Sequence, residues 1–120
     1  MKISSSKAKG RRLQNYVRDI LRRIFIDEWT KYPRLEPDDI KSQTMGMTGE
    51  DIVLSPRARG YIPYSFECKN VEKLNIWDSI KQCESNCGDR CPVLVFKRNG
   101  TDVYAVLKFE NFVNLIKERN

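Results

Sequence analysis

A chain of 120 residues, 40% hydrophobic and 32% charged, has the size of one folding unit and can bury a core without disulfides or a structural metal. Its net charge is +6 and it contains no histidine, which excludes Ser-His, Cys-His and His-metal chemistries and leaves carboxylates, lysine and an oxygen-held metal for any catalysis. No apolar run reaches the length needed to span a bilayer.

The charge is unevenly placed. Residues 1–23 hold eight Lys or Arg against one acid, Asp19, for +7, while the other 97 residues sum to −1. Positive charge confined to one segment marks one face, and a nucleic-acid backbone rewards that clustering. A solvated helix face with no partner is the plain alternative. A membrane surface fits less well, because the same helix needs its apolar side for the core. The opening Met1–Ser6 lacks an apolar signal core, so a cytoplasmic location is expected, with the cysteines Cys68, Cys83, Cys87 and Cys91 reduced.

In chain order, residues 7–29 predict a helix, since Leu13, Tyr16, Val17, Ile20, Leu21, Ile24 and Phe25 recur with helical period. Ser6 is the expected N-cap. Arg11, Asn15, Arg18 and Arg22 form a basic stripe opposite, and Gly10 would permit close approach of another backbone. Residues 30–50 read as irregular around Pro33 and Pro37, ending in the flexible Met45–Gly49. A strand is expected at 51–55, a turn at 55–60 and a second strand at 64–70. A helix follows at about 76–86, then a buried strand at 92–97. An Asn99-Gly100 hairpin turn leads to a returning strand at 102–109 and a terminal helix at 110–119. The order is αββαββα, a single α/β domain over 1–120 with helices flanking a mixed sheet.

Chemistry concentrates on the first two strands. Side chains alternate along a strand, so Glu67 and Lys69 share a face that Phe66 and Cys68 do not. If the strand headed by Asp51 lies alongside, two carboxylates and an ammonium converge. Such a gathering is costly unless a divalent cation and a phosphate share the site. It suits hydrolysis of a phosphodiester, with Asp51 and Glu67 as ligands of Mg²⁺ and Lys69 orienting water and stabilising the anionic transition state. An isolated Glu-x-Lys on a solvated strand face is the plain reading of the same triplet.

The pattern Gly49-x-Asp51 followed by Glu67-x-Lys69 resembles the PD-(D/E)xK nuclease superfamily, whose restriction-endonuclease-like core has the same strand-strand-helix-strand order. Within it the chain is most similar to Holliday-junction resolvases and short phage-encoded endonucleases, through Lys9-Gly10 on the first helix and Gln82 on the helix after Glu-x-Lys. The resemblance implies Asp51 and Glu67 as metal ligands, with the Cys68 carbonyl as a further one. Lys69 would be the catalytic lysine, Gln82 a helper, and Mg²⁺ the cofactor with Mn²⁺ substituting. The superfamily often carries a Glu on helix one where Gln14 stands here. Either Gln14 acts through water, or another acid, with Asp39 the candidate, replaces it; capping is the plain role for Asp39.

The expected function is a metal-dependent DNA endonuclease of the resolvase kind, working on branched DNA in recombination, in the host-cell cytoplasm if phage-encoded. A four-way junction suits a homodimer. Lys7, Lys9, Arg11, Arg12, Arg18, Arg22, Arg57 and Arg59 are the expected backbone contacts. The alternatives are a nicking or DNA-degrading nuclease of the same fold, and a catalytically weak DNA binder. A structural zinc on the four cysteines is disfavoured, because zinc sites use closely spaced pairs and Cys68 belongs on a buried strand face.

Overall fold

The computed structural model describes residues 3–28 and 34–119. Helix α1 spans Ile3–Arg22 and widens into a π-helical turn over Arg23–Asp27. A 3₁₀ turn at Pro37–Asp39 leads into β1 (Ile40–Ser42), followed by β2 (Ile52–Leu54), the short α2 (Pro56–Arg59) and β3 (Tyr64–Asn70). Then come α3 (Ile76–Asn86), β4 (Cys91–Lys97), β5 (Tyr104–Val106) and α4 (Phe109–Arg119). The α/β architecture is as expected, with β1 and α2 added to the expected order. Residue 29, the expected end of the first helix, and Pro33 lie outside the described residues.

Helix α1 starts before Ser6, so that serine sits within the helix and is not its cap. Its buried stripe is narrower than the periodicity suggests. Leu13, Val17 and Leu21 are buried one turn apart, whereas Tyr16 and Ile24 are exposed. The side carrying Asn15 and Arg22 is not a free basic face. Ser42 donates to Asn15 Oδ1 at 2.8 Å, and Arg22 donates to the carbonyls of Ile40 at 2.8 Å and Pro37 at 3.0 Å. These bonds hold β1 against the helix. Among the described residues no backbone of another element approaches Gly10 closely; a Cβ there meets only the Met45 methyl at 3.9 Å.

The strands form two small sheets. β1 and β2 are an antiparallel pair with Ile40 opposite Leu54 and Ser42 opposite Ile52. β3 and β4 are parallel, joined by the α3 crossover, and β5 returns antiparallel on β4. Three consecutive residues of β4, Val93–Val95, are buried, as expected for a parallel strand covered on both faces. One face carries Cys68, Val93 and Val95 into a core shared with Leu13, Val17, Ile40, Ile52 and Leu54. The other presents Glu67 and, directly beside it, Leu94. The two sheets meet at one backbone bond, from the Asp51 amide to the Phe66 carbonyl at 3.0 Å. The candidate site lies beside this bond, between α1, the β1–β2 loop, β3 and α3. Among the described residues no helix is long and apolar enough to cross a membrane.

Candidate active site

A strand that loses its neighbour leaves backbone groups needing partners. At β3 the amide of Cys68 finds one in a side chain: it donates to Asp51 Oδ2 at 2.7 Å. Asp51 is thereby fixed where the two sheets separate, with its own carbonyl accepting from the Gln43 amide at 2.7 Å. Alternation along β3 brings Glu67 to the same opening, and Lys69 Nζ lies 3.9 Å from Glu67 Oε2. Gln14 reaches the Asp51 carboxylate from α1, and Asn86 reaches Glu67 from the last turn of α3. These groups border a cavity of about 410 Å³, closed on another side by the β1–β2 loop Thr44–Gly49 and by Gln82 and Ser85 of α3.

The electrostatics are unbalanced. Glu67 is 2% exposed, and burial together with the neighbouring Asp51 carboxylate pushes its pKa up to about 7, against the pull of Lys69. Burial also raises Asp51, although the Cys68 amide and Gln14 oppose it. One oxygen of Glu67 and the amide oxygen of Gln14 are buried with no hydrogen-bond partner. Buried acceptors without donors are uncommon, and they suit a site that takes up a cation or water. Two hard carboxylates and an amide oxygen, all short of positive charge, fit a divalent cation of the Mg²⁺ type. Among the described residues, no group of three or more His, Cys, Asp or Glu is arranged to hold a metal.

Several expected residues lie elsewhere. Asp39 does not border the cavity. It accepts from the Glu36 amide at 2.7 Å and from Ser55 Oγ at 2.6 Å, tying the 3₁₀ turn to the end of β2. Of the expected DNA contacts, Arg22 is held by β1, Arg57 donates to the Arg34 carbonyl at 2.6 Å, Arg59 sits 3.7 Å from Glu50 and Arg18 pairs with Asp19. Lys7 and Arg11 share a helical face with Gly10 and Gln14 at i, i+3, i+4 and i+7, beside the cavity; Arg12 falls on another side. Lys9 is half-buried. Cys68 borders the cavity, but its thiol packs in the core, and burial raises its pKa. The other cysteines do not join it: Cys83 points at the Ser65 carbonyl, Cys87 at that of Glu84, and Cys91 accepts from Asn111.

Asn86 is the residue that sequence reasoning missed. It stands near the Glu67 carboxylate, whose charge it favours, and donates to the Gly49 carbonyl at 3.3 Å, so it joins α3 to the loop before Asp51. Its signal was positional, one helical turn after Gln82 on the same face.

A mixed α/β core, an acid at the head of one strand, Glu-x-Lys on the next and an amide-bearing helix behind them define the PD-(D/E)xK class of nucleases. The chain matches over residues 5–120 the family described as "Phage putative PDDEXK endonuclease", and it belongs to that family. No curated protein and no solved structure matches it.

Proposed function

We propose that the protein is a divalent-metal-dependent DNA endonuclease that cuts branched DNA, a Holliday-junction resolvase acting during recombination in the host-cell cytoplasm. The observation that carries the hydrolytic part is the convergence of Asp51, Glu67 and Lys69 on one cavity in which buried acceptors lack a positive partner. Asp51, Glu67 and the Gln14 amide oxygen would hold the cation, Mg²⁺ or Mn²⁺, with the Cys68 carbonyl a further donor. When bound, such an ion lowers the pKa of water and neutralises charge on a phosphoryl oxygen.

The chain's own residues do the rest. Asn86 and Lys69 orient the Glu67 carboxylate from two sides. The Lys69 ammonium, partly exposed at the cavity, is free to bond a non-bridging phosphate oxygen and to steady the attacking water. Gln82 lines the opposite wall and can hydrogen-bond the same water or phosphate. Lys7 and Arg11 flank the cavity along α1 and would seat the DNA backbone, which carries no sequence information. The choice of branched DNA rests on the resemblance to junction resolvases.

The test is a cleavage assay on a four-way junction, a linear duplex and a single strand, with Mg²⁺ and with EDTA, repeated with Asp51→Asn. Paired symmetric cuts in the junction that need Mg²⁺ and Asp51 are expected. Equal cutting of all three substrates would leave a general nuclease. Tight binding without product would leave a DNA binder weakened by the uncharged Gln14.

A further inference from the structure

Lys69 belongs to a row of side chains that crosses the three-stranded sheet. It is in register with Phe96 of β4, and Phe96 with Tyr104 of β5. Residues in register share a sheet face, and two strand spacings put Tyr104 about 10 Å from Lys69 at the backbone. Phe96 and Tyr104 line a separate pocket of about 260 Å³. Its other wall is Val71, Glu72 and Leu74, on the loop that begins two residues after Lys69, with Ile76 at the start of α3.

This pocket joins open aromatic surface to unpaired cations. Tyr104 is 57% exposed, and its ring lies 6.1 Å from that of Phe96 at an angle of 35°, so the two do not stack face to face. Lys97 and Arg98 line the same pocket, and among the described residues no carboxylate pairs with either. Glu72, the acid of the lining, accepts from the Asn99 amide at 2.7 Å and so ties the loop to the β4–β5 turn. Ring faces beside free cations suit a single nucleotide: the rings take the base and the cations its phosphate. An apolar ligand would leave both cations unanswered. The volume of about 260 Å³ is under the roughly 300 Å³ where pockets for drug-sized ligands begin, which suits one base and not a base pair.

We infer that this pocket holds an unpaired base of the DNA substrate, from a nucleotide close to the one whose phosphate lies at Lys69, with Tyr104 as the stacking residue. The inference rests on the reading of the protein as a DNA endonuclease and adds what that enzyme selects. A base within a duplex faces its partner and is stacked between neighbours. It reaches Tyr104 only after leaving the stack, which costs least where pairing is already broken. The pocket therefore favours cutting beside a branch point or a single-stranded stretch over cutting regular duplex.

Fluorescence anisotropy of the full chain in EDTA, where nothing is cut, tests it with a single strand and a linear duplex of the same sequence. Tyr104→Ala is expected to weaken binding of the single strand about 10-fold or more and that of the duplex less than about 2-fold. Tyr104→Phe keeps the ring and is expected to bind both as the wild type does. Should Tyr104→Ala fail to fold, Tyr104→Ile keeps a strand-favouring side chain without a ring and gives the same reading. Iodouracil, placed in the single strand or at the branch of a four-way junction, is expected to cross-link to Tyr104 under ultraviolet light. A cross-link at the branch makes the junction the source of the base, and one in the single strand alone makes it a single-stranded stretch. Single-strand binding unchanged in the ringless variant, or duplex binding weakened as much, overturns the assignment. Failure of the endonuclease reading shows separately, as a wild type that cuts no DNA with Mg²⁺ whatever the anisotropy reports.

Discussion

Glu50 and Asp51 are neighbours in sequence and opposites in surroundings. The Glu50 carboxylate is buried with its counter-charge built in: Arg90 donates to it, Ser65 donates at 2.8 Å and Arg59 stands 3.7 Å away. Asp51 and Glu67 face the other way, with one lysine for a half-buried and a buried carboxylate and with one Glu67 oxygen that no donor reaches. Backbone alternation puts both arrangements at the same junction of β2 and β3. An acid that carries its own cation is part of the scaffold. A pair of acids left short of one is prepared for something that arrives from solution.

Substitution on the starved side breaks that comparison most sharply. Asp51→Asn and Glu67→Gln are each expected to cut single-turnover DNA cleavage by about 10³-fold or more, since each removes a charge that would hold the metal. Neither is expected to lower metal-free stability in urea unfolding, because each removes one charge from a repelling pair. Mn²⁺ is expected to raise the unfolding midpoint of the wild type, and EDTA to reverse the rise; both effects vanish in Glu67→Gln.

The paired side is expected to respond in the opposite sense. Arg90→Ala leaves the buried Glu50 with the Ser65 hydroxyl and, as counter-charge, only the exposed Arg59, and breaking such a pair costs about 3 kcal/mol. Urea unfolding should show that loss in full. The Mn²⁺-dependent rise in midpoint should survive in the folded protein, since Arg90 does not border the active-site cavity.

Asp39 offers a milder test of the same kind. The Glu36 amide first, then Ser55, hold its pKa below the usual 3.8. A depressed acid stabilises the fold above its unfolded pKa, and the contribution is lost as pH falls through the lower folded value. Asp39→Asn keeps an acceptor but removes the charge that the Glu36 amide and Ser55 favour, and is expected to cost up to about 1 kcal/mol at neutral pH. The gap between variant and wild type should close on acidification below 3.8. Cleavage by the folded variant should be unchanged, which separates capping from metal binding.

The elements that carry the candidate site were the most legible. β3 and α3 fall at Tyr64–Asn70 and Ile76–Asn86, because alternation and helical period are strong over seven and eleven residues. β1 was invisible for the converse reason. It has three residues with one buried apolar side chain, Ile40, and owes its existence to pairing with β2 and to the reach of Arg22. Asp51, Glu67 and Lys69 could be singled out because a strand's geometry places them. Asn86 could not, since an asparagine at a helix end reads as a terminator. The Arg90 partner of Glu50 lies 40 residues away, and no local pattern connects them. The basic segment was legible as charge but not as a surface: Arg22 is held by β1, and Arg18 pairs with the adjacent Asp19.

Gly10 gives the smallest effect and the finest distinction between site and scaffold. It lies in the interior of α1, where glycine costs about 0.5–1 kcal/mol relative to alanine. Its side-chain position is open, with the Met45 methyl in ordinary contact at 3.9 Å and no backbone nearby. Folding therefore gives no reason for glycine here, and Gly10→Ala is expected to stabilise the protein by about that amount in urea unfolding. The residue borders the active-site cavity between Lys7 and Arg11, on the side where DNA would lie. A methyl group there narrows the approach of a phosphate backbone. The stabilised variant is therefore expected to bind junction DNA several-fold more weakly, by fluorescence anisotropy, with Asp51 and Glu67 untouched. Unchanged binding would assign Gly10 to neither the scaffold nor the site.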